Sequence, residues 1–556
     1  MSDYIECKSR SKHGTLLKHS LAREVDEMVQ NPTINVMRGI LVDDEWTKMA
    51  RDIASFCIEK YKLELPDINF HIIGAEDLYS ISATGGWNVS PQHWSLGEQY
   101  WISKQQHELG LGQLYEIVVP SEDTKKDLGY HPVDAYVYDA SQDYAKRLVI
   151  AHVYGHAHMF EVNPIERKFR PDYPQGYLAY AKKRLEELEQ QVGEDGVERI
   201  MDISESLFTL VDWYHMEEVK PYEEEENVWE KMLETPAEKS RELKKELTER
   251  GDKKPLPEKR DYDVFKFIIN NSTKVTEWER EIMEIMYNIK KRSYAGGLIN
   301  IVHEGFSALI NLRYALDANI PIGEVFDWLK MTYGIASQPK EVRMIGANPY
   351  WLGMNLFLDV IDRWDKGMYG LDWENLTDVE ARKEFDKKIN KGWEKVIEIT
   401  KVDDDYSFID NYFTEDFFKH KASHLLVYQG DKPDEGEKEE DTYMIVSKMY
   451  KDVKNALLFN KFNNGLPRIF IPKNGGDYDG LGHLMLVQDF SRYDKLDILQ
   501  EELTLDLKDT YKTMMDALYP VWGKPVHLIT TTNEGQKIML STLDGIKVKI
   551  TPFGSK

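Results

Sequence analysis

The segment Ile150-Ala-His-Val-Tyr-Gly-His156 places two histidines, His152 and His156, four residues apart. On a helix, positions i and i+4 share a face, so the two imidazoles converge and can hold one metal ion. The helical pattern runs from Ser141 to Phe160, with Ala145, Leu148, Val149, His152, Val153, His156 and Phe160 at spacings of three and four. Both histidines therefore stand in the apolar stripe, where an unpartnered ring nitrogen is costly. A shared cation meets that need, and so do hydrogen bonds within a packed core. The zinc-protease pattern has Glu directly after the first histidine as general base, and here Val153 occupies that place. His158 lies well round the helix and reaches the same ion only if the helix ends after Gly155.

A metal centre needs a third donor from elsewhere, usually a carboxylate or histidine. Glu304 in Asn300-Ile-Val-His-Glu-Gly-Phe-Ser-Ala308 is the leading one, an acid in a mostly apolar helical run. Gly305 beside it lets another helix approach closely. Asn311 shares the face of Glu304, and His303 points about a quarter-turn away. A helix cap or salt bridge is the structural alternative for Glu304. Glu116 in Leu114-Tyr-Glu-Ile-Val is an acid inside an apolar strand. It reads as a general base, as an orienting partner for a histidine, or as the wet face of an edge strand. His93-Trp94 reads as packing.

These residues must be positioned by more than one core, since 556 residues exceed what one core holds. Hydrophobic residues at 42% supply enough interior to exclude global disorder. A net charge of -26 argues against nucleic-acid binding and against docking on anionic lipid. Cys7 and Cys57 alone build neither a disulfide framework nor a cysteine metal cluster. No apolar run is long enough to cross a membrane, no leader pattern opens the chain, and no nucleotide motif is present. A cytoplasmic location follows as the expectation; the sequence carries no signal of oligomeric state.

The expected fold class is α+β: a mainly helical body, a small sheet near the N-terminal part and a small C-terminal α+β domain. Residues 1–40 read as an extension, and 41–220 as the α+β part carrying the paired-histidine helix. Residues 221–262 read as an acidic connection, 263–430 as the helical part carrying Glu304, and 431–556 as the C-terminal domain. Helices are expected over 43–61, 141–160 and 176–220, the last broken at Gly193-Glu-Asp-Gly196, and in a block over 263–399. Strands are expected over 66–73, 112–119, 467–472, 484–488 and 526–530, around a helix from Leu507 to Tyr519.

Several blocks, in order, resemble the SpoVR-like family (stage V sporulation protein R). They are Pro91-Gln-His-Trp-Ser-Leu-Gly97, Gly110-Leu-Gly-Gln-Leu-Tyr-Glu116, Ile150 to His156, His303-Glu-Gly-Phe-Ser307 and Asn348-Pro-Tyr-Trp-Leu-Gly353. Asp362-Arg-Trp-Asp-Lys-Gly367, Phe408-Ile-Asp-Asn-Tyr-Phe413 and Trp522-Gly-Lys-Pro-Val-His-Leu528 continue the series. The resemblance implies a cytoplasmic protein linked to spore cortex formation or, outside spore formers, to stress response beside a serine protein kinase. The motifs suggest a metal-dependent hydrolase of amide or peptide bonds, using zinc or another divalent ion held by His152, His156 and Glu304. A non-enzymatic regulatory or scaffold protein working with the kinase is the alternative. The chain departs from the family where His303 replaces Asn, Phe306 replaces Trp, and Asn311 stands where a histidine is usual. Either His158 or His303 compensates as a ligand, or the member is non-catalytic.

Overall fold

The computed structural model describes residues 33–36, 44–83, 116–121, 131–138, 143–168, 177–212, 256–293, 295–335, 347–431, 442–461, 468–489, 500–531, 537–543 and 547–552. The fold is α+β and mainly helical, with small sheets. The chain forms two compact units, each assembled from two separate segments. Met1–Lys183 and Arg292–Lys461 make the first, and Arg184–Lys291 with Phe462–Lys556 make the second.

In the first unit, β1 (Thr33–Val36), α1 (Asp44–Tyr61), β2 (Ile68–Ile73), α2 (Ala75–Ala83), β3 (Glu116–Pro120) and β4 (Val133–Tyr138) lead into helix α3 (Asp143–Val162). Strand β1 lies within the stretch expected to be an extension. The sheet order is β1-β2-β4-β3, with β1, β2 and β4 parallel and β3 antiparallel at the edge. Beneath it Ile73, Leu78, Ile81 and Tyr136 form an apolar cluster with Ile117 and Val119 packed on it. Helix α3 continues unbroken past Gly155 and is buried almost all round, from Ala145 to Val162. A helix apolar on every side belongs in an interior, and here it lies between the sheet and the other helices.

Helix α4 (Pro164–Lys168) follows at once, then α5 (Tyr177–Val192) and α6 (Glu194–Leu207), parted at Gly193, whose φ of 89° suits a residue without Cβ. Further on come α7 (Val264–Asn271), α8 (Glu277–Ser293), α9 (Ala295–Asp317), α10 (Ile322–Ile335) and α11 (Pro349–Lys366). Helices α12 (Gly392–Val402) and α13 (Asp405–Tyr412), hairpin β5 (Val427–Asp431) and β6 (Thr442–Ser447), and α14 (Tyr450–Lys461) complete the first unit.

Helix α9 is broken at Ile299, where φ is -128° and ψ 17°. Its restarted N-terminus exposes orphan amides, which any helix start must satisfy. Asp405, fully buried on α13, accepts from the Val302 N–H at 2.9 Å and from Ile301, and pairs with Lys461 at 2.8 Å. Burial pushes its carboxyl pKa up, while Lys461 and the two amides pull the other way. Helix α11 opens on an Asn348 cap that accepts from Tyr350 and Trp351, with Pro349 in the first turn, and closes on Gly367.

The second unit has a sheet in the order β11-β10-β9-β8-β7, from β7 (Ile469–Phe470), β8 (Leu484–Gln488), β9 (Val526–Thr531), β10 (Lys537–Leu543) and β11 (Lys547–Pro552). Only β8 and β9 run parallel. Helix α15 (Gln500–Trp522) packs on it, and Phe470, Met485, Val487 and Ile529 make its core. Strands β4, β5, β6, β10 and β11 and helix α2 were not expected from the sequence. Among the described residues, no helix is long and apolar enough to cross a membrane.

Candidate metal centre

The site forms where the edge strand β3 and two buried helices, α3 and α9, meet. Its geometry depends on missing side chains. A Cβ on Gly155 would sit 2.6 Å from the Ser307 Cα, so α3 and α9 touch backbone to backbone. Likewise a Cβ on Gly305 would lie 2.4 Å from the Cα of Gly353, which brings α11 against α9. The close approach expected at Gly305 is thus real, and its partner is another glycine. These contacts hold Glu304 against the two histidines.

His152 Nε2 lies 3.5 Å from Glu116 Oε1 and 3.7 Å from Glu304 Oε2, and His156 Nε2 lies 3.4 Å from Glu304 Oε2. The ligand atoms of Glu116, His152 and His156 all fall within 4.8 Å of one another. Those gaps are long for hydrogen bonds. They match the roughly 3.3–3.6 Å between donors that sit about 2.0–2.2 Å from a common tetrahedral centre. His152 Nε2 and Glu304 Oε2 are buried with no hydrogen-bond partner. Buried orphan atoms of this kind call for an occupant between them.

The second nitrogen of His152 meets Asn311, whose Nδ2 is 3.1 Å from Nδ1 while its Oδ1 is buried and unpartnered. A half-turn of that amide lets Oδ1 accept from an Nδ1–H, which leaves the Nε2 lone pair facing the carboxylates. Ligating imidazoles are held in this way. The Ser307 carbonyl also accepts from the ring. Asn311 therefore orients a ligand. The donor set of two imidazoles and two carboxylates fits a divalent ion such as zinc.

Burial works against a charged His152, but Glu116 and Glu304 raise its pKa above the usual value. Burial, with His303 and His152 nearby, holds His156 well below it, so its lone pair is free at neutral pH. Burial raises the Glu116 carboxyl; Glu304 adds to this and His152 opposes it. Tyr350, in the first turn of α11, was missed in the sequence. Its ring stacks on His152 with centroids 5.9 Å apart, and its hydroxyl bonds to Glu304. Burial and the two carboxylates push its phenol pKa well up. The Asn348 cap marked the start of the helix, but no spacing tied Tyr350 to the histidines.

The remaining residues singled out in the sequence lie apart. Because α3 runs on to Val162, His158 faces the other way: Nδ1 accepts from the Glu64 N–H at 3.0 Å, and Nε2 is 3.1 Å from Thr400 Oγ1. Neither nitrogen is left for an ion. His303 packs edge-on to His156 with centroids 4.6 Å apart, but its Nε2 lies 3.3 Å from the His156 carbonyl and its Nδ1 3.6 Å from buried Glu166. It supports the backbone under the site and presents no nitrogen to it. Glu166 carried no signal in the sequence. His93 and Trp94 fall outside the described residues.

A family model described as "SpoVR like protein" matches residues 43–466. The chain belongs to the SpoVR family. A relative of the SpoVR chain is the "Uncharacterized protein YcgB" of Escherichia coli (strain K12), 24% identical over 337 residues. That alignment covers 57% of this chain and 64% of the relative, so the chain spans less than two thirds of that protein's length. No solved structure matches. The matched SpoVR region contains every donor of the site, from Glu116 to Glu304.

Proposed function

We propose that this SpoVR protein is a metal-dependent hydrolase of amide or peptide bonds, in which His152, His156 and Glu304 hold a divalent ion and Glu116 is the general base. The observation that carries this reading is the pair of buried, unpartnered atoms, His152 Nε2 and Glu304 Oε2, in a ring of donors 3.4–3.7 Å apart. A divalent ion there supplies a water of lowered pKa and polarises a carbonyl. Burial raises the affinity of Glu116 for a proton, which suits a carboxylate that must take one up near neutral pH. Tyr350 bonds Glu304 and fixes its orientation from α11. Two carboxylates at the site favour a neutral acyl substrate over a phosphoryl group, which would bring more negative charge beside them. A place in spore cortex formation or stress response, and action beside a serine protein kinase, belong to the same proposal and rest on family membership.

The deciding experiment is metal analysis of protein purified without an affinity tag. About one equivalent is expected. His152→Ala, His156→Ala and Glu304→Ala should each lose it, while Glu116→Gln keeps the ion and loses hydrolysis. A metal-free wild type, whose complex with a kinase is indifferent to both histidine changes, would sink the hydrolase in favour of a scaffold.

A further inference from the structure

We propose that the outer edge of strand β6 is a self-association surface, on which a second copy of this chain lays its own β6 antiparallel to build a continuous four-stranded sheet. Strands β5 and β6 form a sheet of two, so among the described residues the far edge of β6 has no partner. Such an edge is a row of unused N–H and C=O groups. Folded proteins usually guard it with a charge, a proline or a twist. The strand Thr442-Tyr-Met-Ile-Val-Ser447 contains no charge, proline or glycine and is rich in strand formers. Ile445 is 46% exposed and Val446 41% exposed. Successive strand residues point to opposite faces, so both faces of β6 are open. Met449, just beyond, is 67% exposed.

The flanking charges select the partner. Glu439, Glu440 and Asp441 precede the strand in sequence, and Lys448 and Lys451, both exposed, follow it. Two identical strands paired antiparallel about a two-fold axis set the acidic end of each against the lysine end of the other, with the apolar middle against itself. A two-fold interface requires that self-complementarity. A parallel pairing would put acid on acid. The exit of β6 is held firm, because Ser447 Oγ accepts from the Met449 N–H at 3.1 Å and bonds to Asp452. One strand pair is smaller than the roughly 1,200 Å² of a stable interface, so the dimer should be reversible and concentration-dependent.

Sedimentation velocity on the full chain between about 1 and 100 µM should show a monomer–dimer equilibrium. The double variant Lys448→Glu/Lys451→Glu is acidic at both strand ends, and the triple variant Glu439→Lys/Glu440→Lys/Asp441→Lys is basic at both. Each alone should self-associate at least about tenfold more weakly, while an equimolar mixture recovers wild-type affinity. Ile445→Lys should weaken the dimer by a similar factor, and unchanged melting curves show that each variant is folded. A wild type that stays monomeric at the highest concentration overturns the proposal. So does a dimer indifferent to both charge variants, since its contact then lies elsewhere.

Discussion

His152 meets two carboxylates with one ring nitrogen and an amide with the other, and the amide decides which nitrogen is left for an ion. Asn311→Ala removes that group, and cation affinity measured by calorimetry should fall about 10- to 100-fold with the fold intact. Unchanged affinity would mean that the Ser307 carbonyl orients the ring alone. His158, two residues past His156, responds to pH instead. Burial lowers its pKa from 6.5 to about 4. The folded chain therefore keeps the ring neutral while the unfolded chain protonates it. This contribution is whole above about pH 6.5 and drains away as pH falls toward 4, about 3 kcal/mol in all. His158→Gln should flatten the acid side of a plot of melting temperature against pH. Parallel losses in both proteins would clear His158 of the effect. The sequence distinguished these histidines only by their angle on the helix. What satisfies His158 is Thr400, 242 positions away, and no local pattern reports that distance.

At the scale of elements, the glycine contacts set the site. A Cβ on Gly353 would fall 2.1 Å from the Ile301 carbonyl and 2.6 Å from the Gly305 Cα, with rigid backbone on both sides. Gly353→Ala should destabilise by about 1–3 kcal/mol and also weaken cation binding, because Glu304 is part of the turn that must move. A lowered melting temperature with undiminished affinity would separate packing from site geometry. The long helices were legible because their apolar residues recur at three and four, as at Leu185, Leu188, Ile200 and Ile203. Strand β4 was not. Its Asp134 is a poor strand former, accommodated only because Asn69 donates to it at 2.8 Å and His71 lies 3.3 Å away on the neighbouring strand. In β11 the alternation Lys547-Val-Lys-Ile550 was present but short. Glu116 could be seen as an acid in a strand, but the edge position that gives it access to His152 comes from the antiparallel pairing with β4.

For the whole molecule, the second unit cannot be obtained with a single cut. Its C-terminal segment depends on the segment from Arg184 to Lys291. Asp261 bridges to Ile471, the Phe267 ring lies 6.0 Å from that of Trp522, and buried Asp212 lies 3.7 Å from Arg468. A fragment of residues 462–556 expressed alone should therefore lack a cooperative melting transition. A sharp transition in that fragment would show that the segment carries a core of its own.

The meeting of β3 with α3 and α9 has one more consequence. Its donors come from a strand edge and two helices, far apart along the chain. An ion seated among them acts as a removable staple, closing a long loop that the unfolded chain leaves open. Chelation should therefore lower the melting temperature, and added metal should raise it in step with the logarithm of free metal concentration. A melting temperature indifferent to both would mean that no staple exists. Heat resistance thus becomes a gauge of loading, readable before any substrate is known.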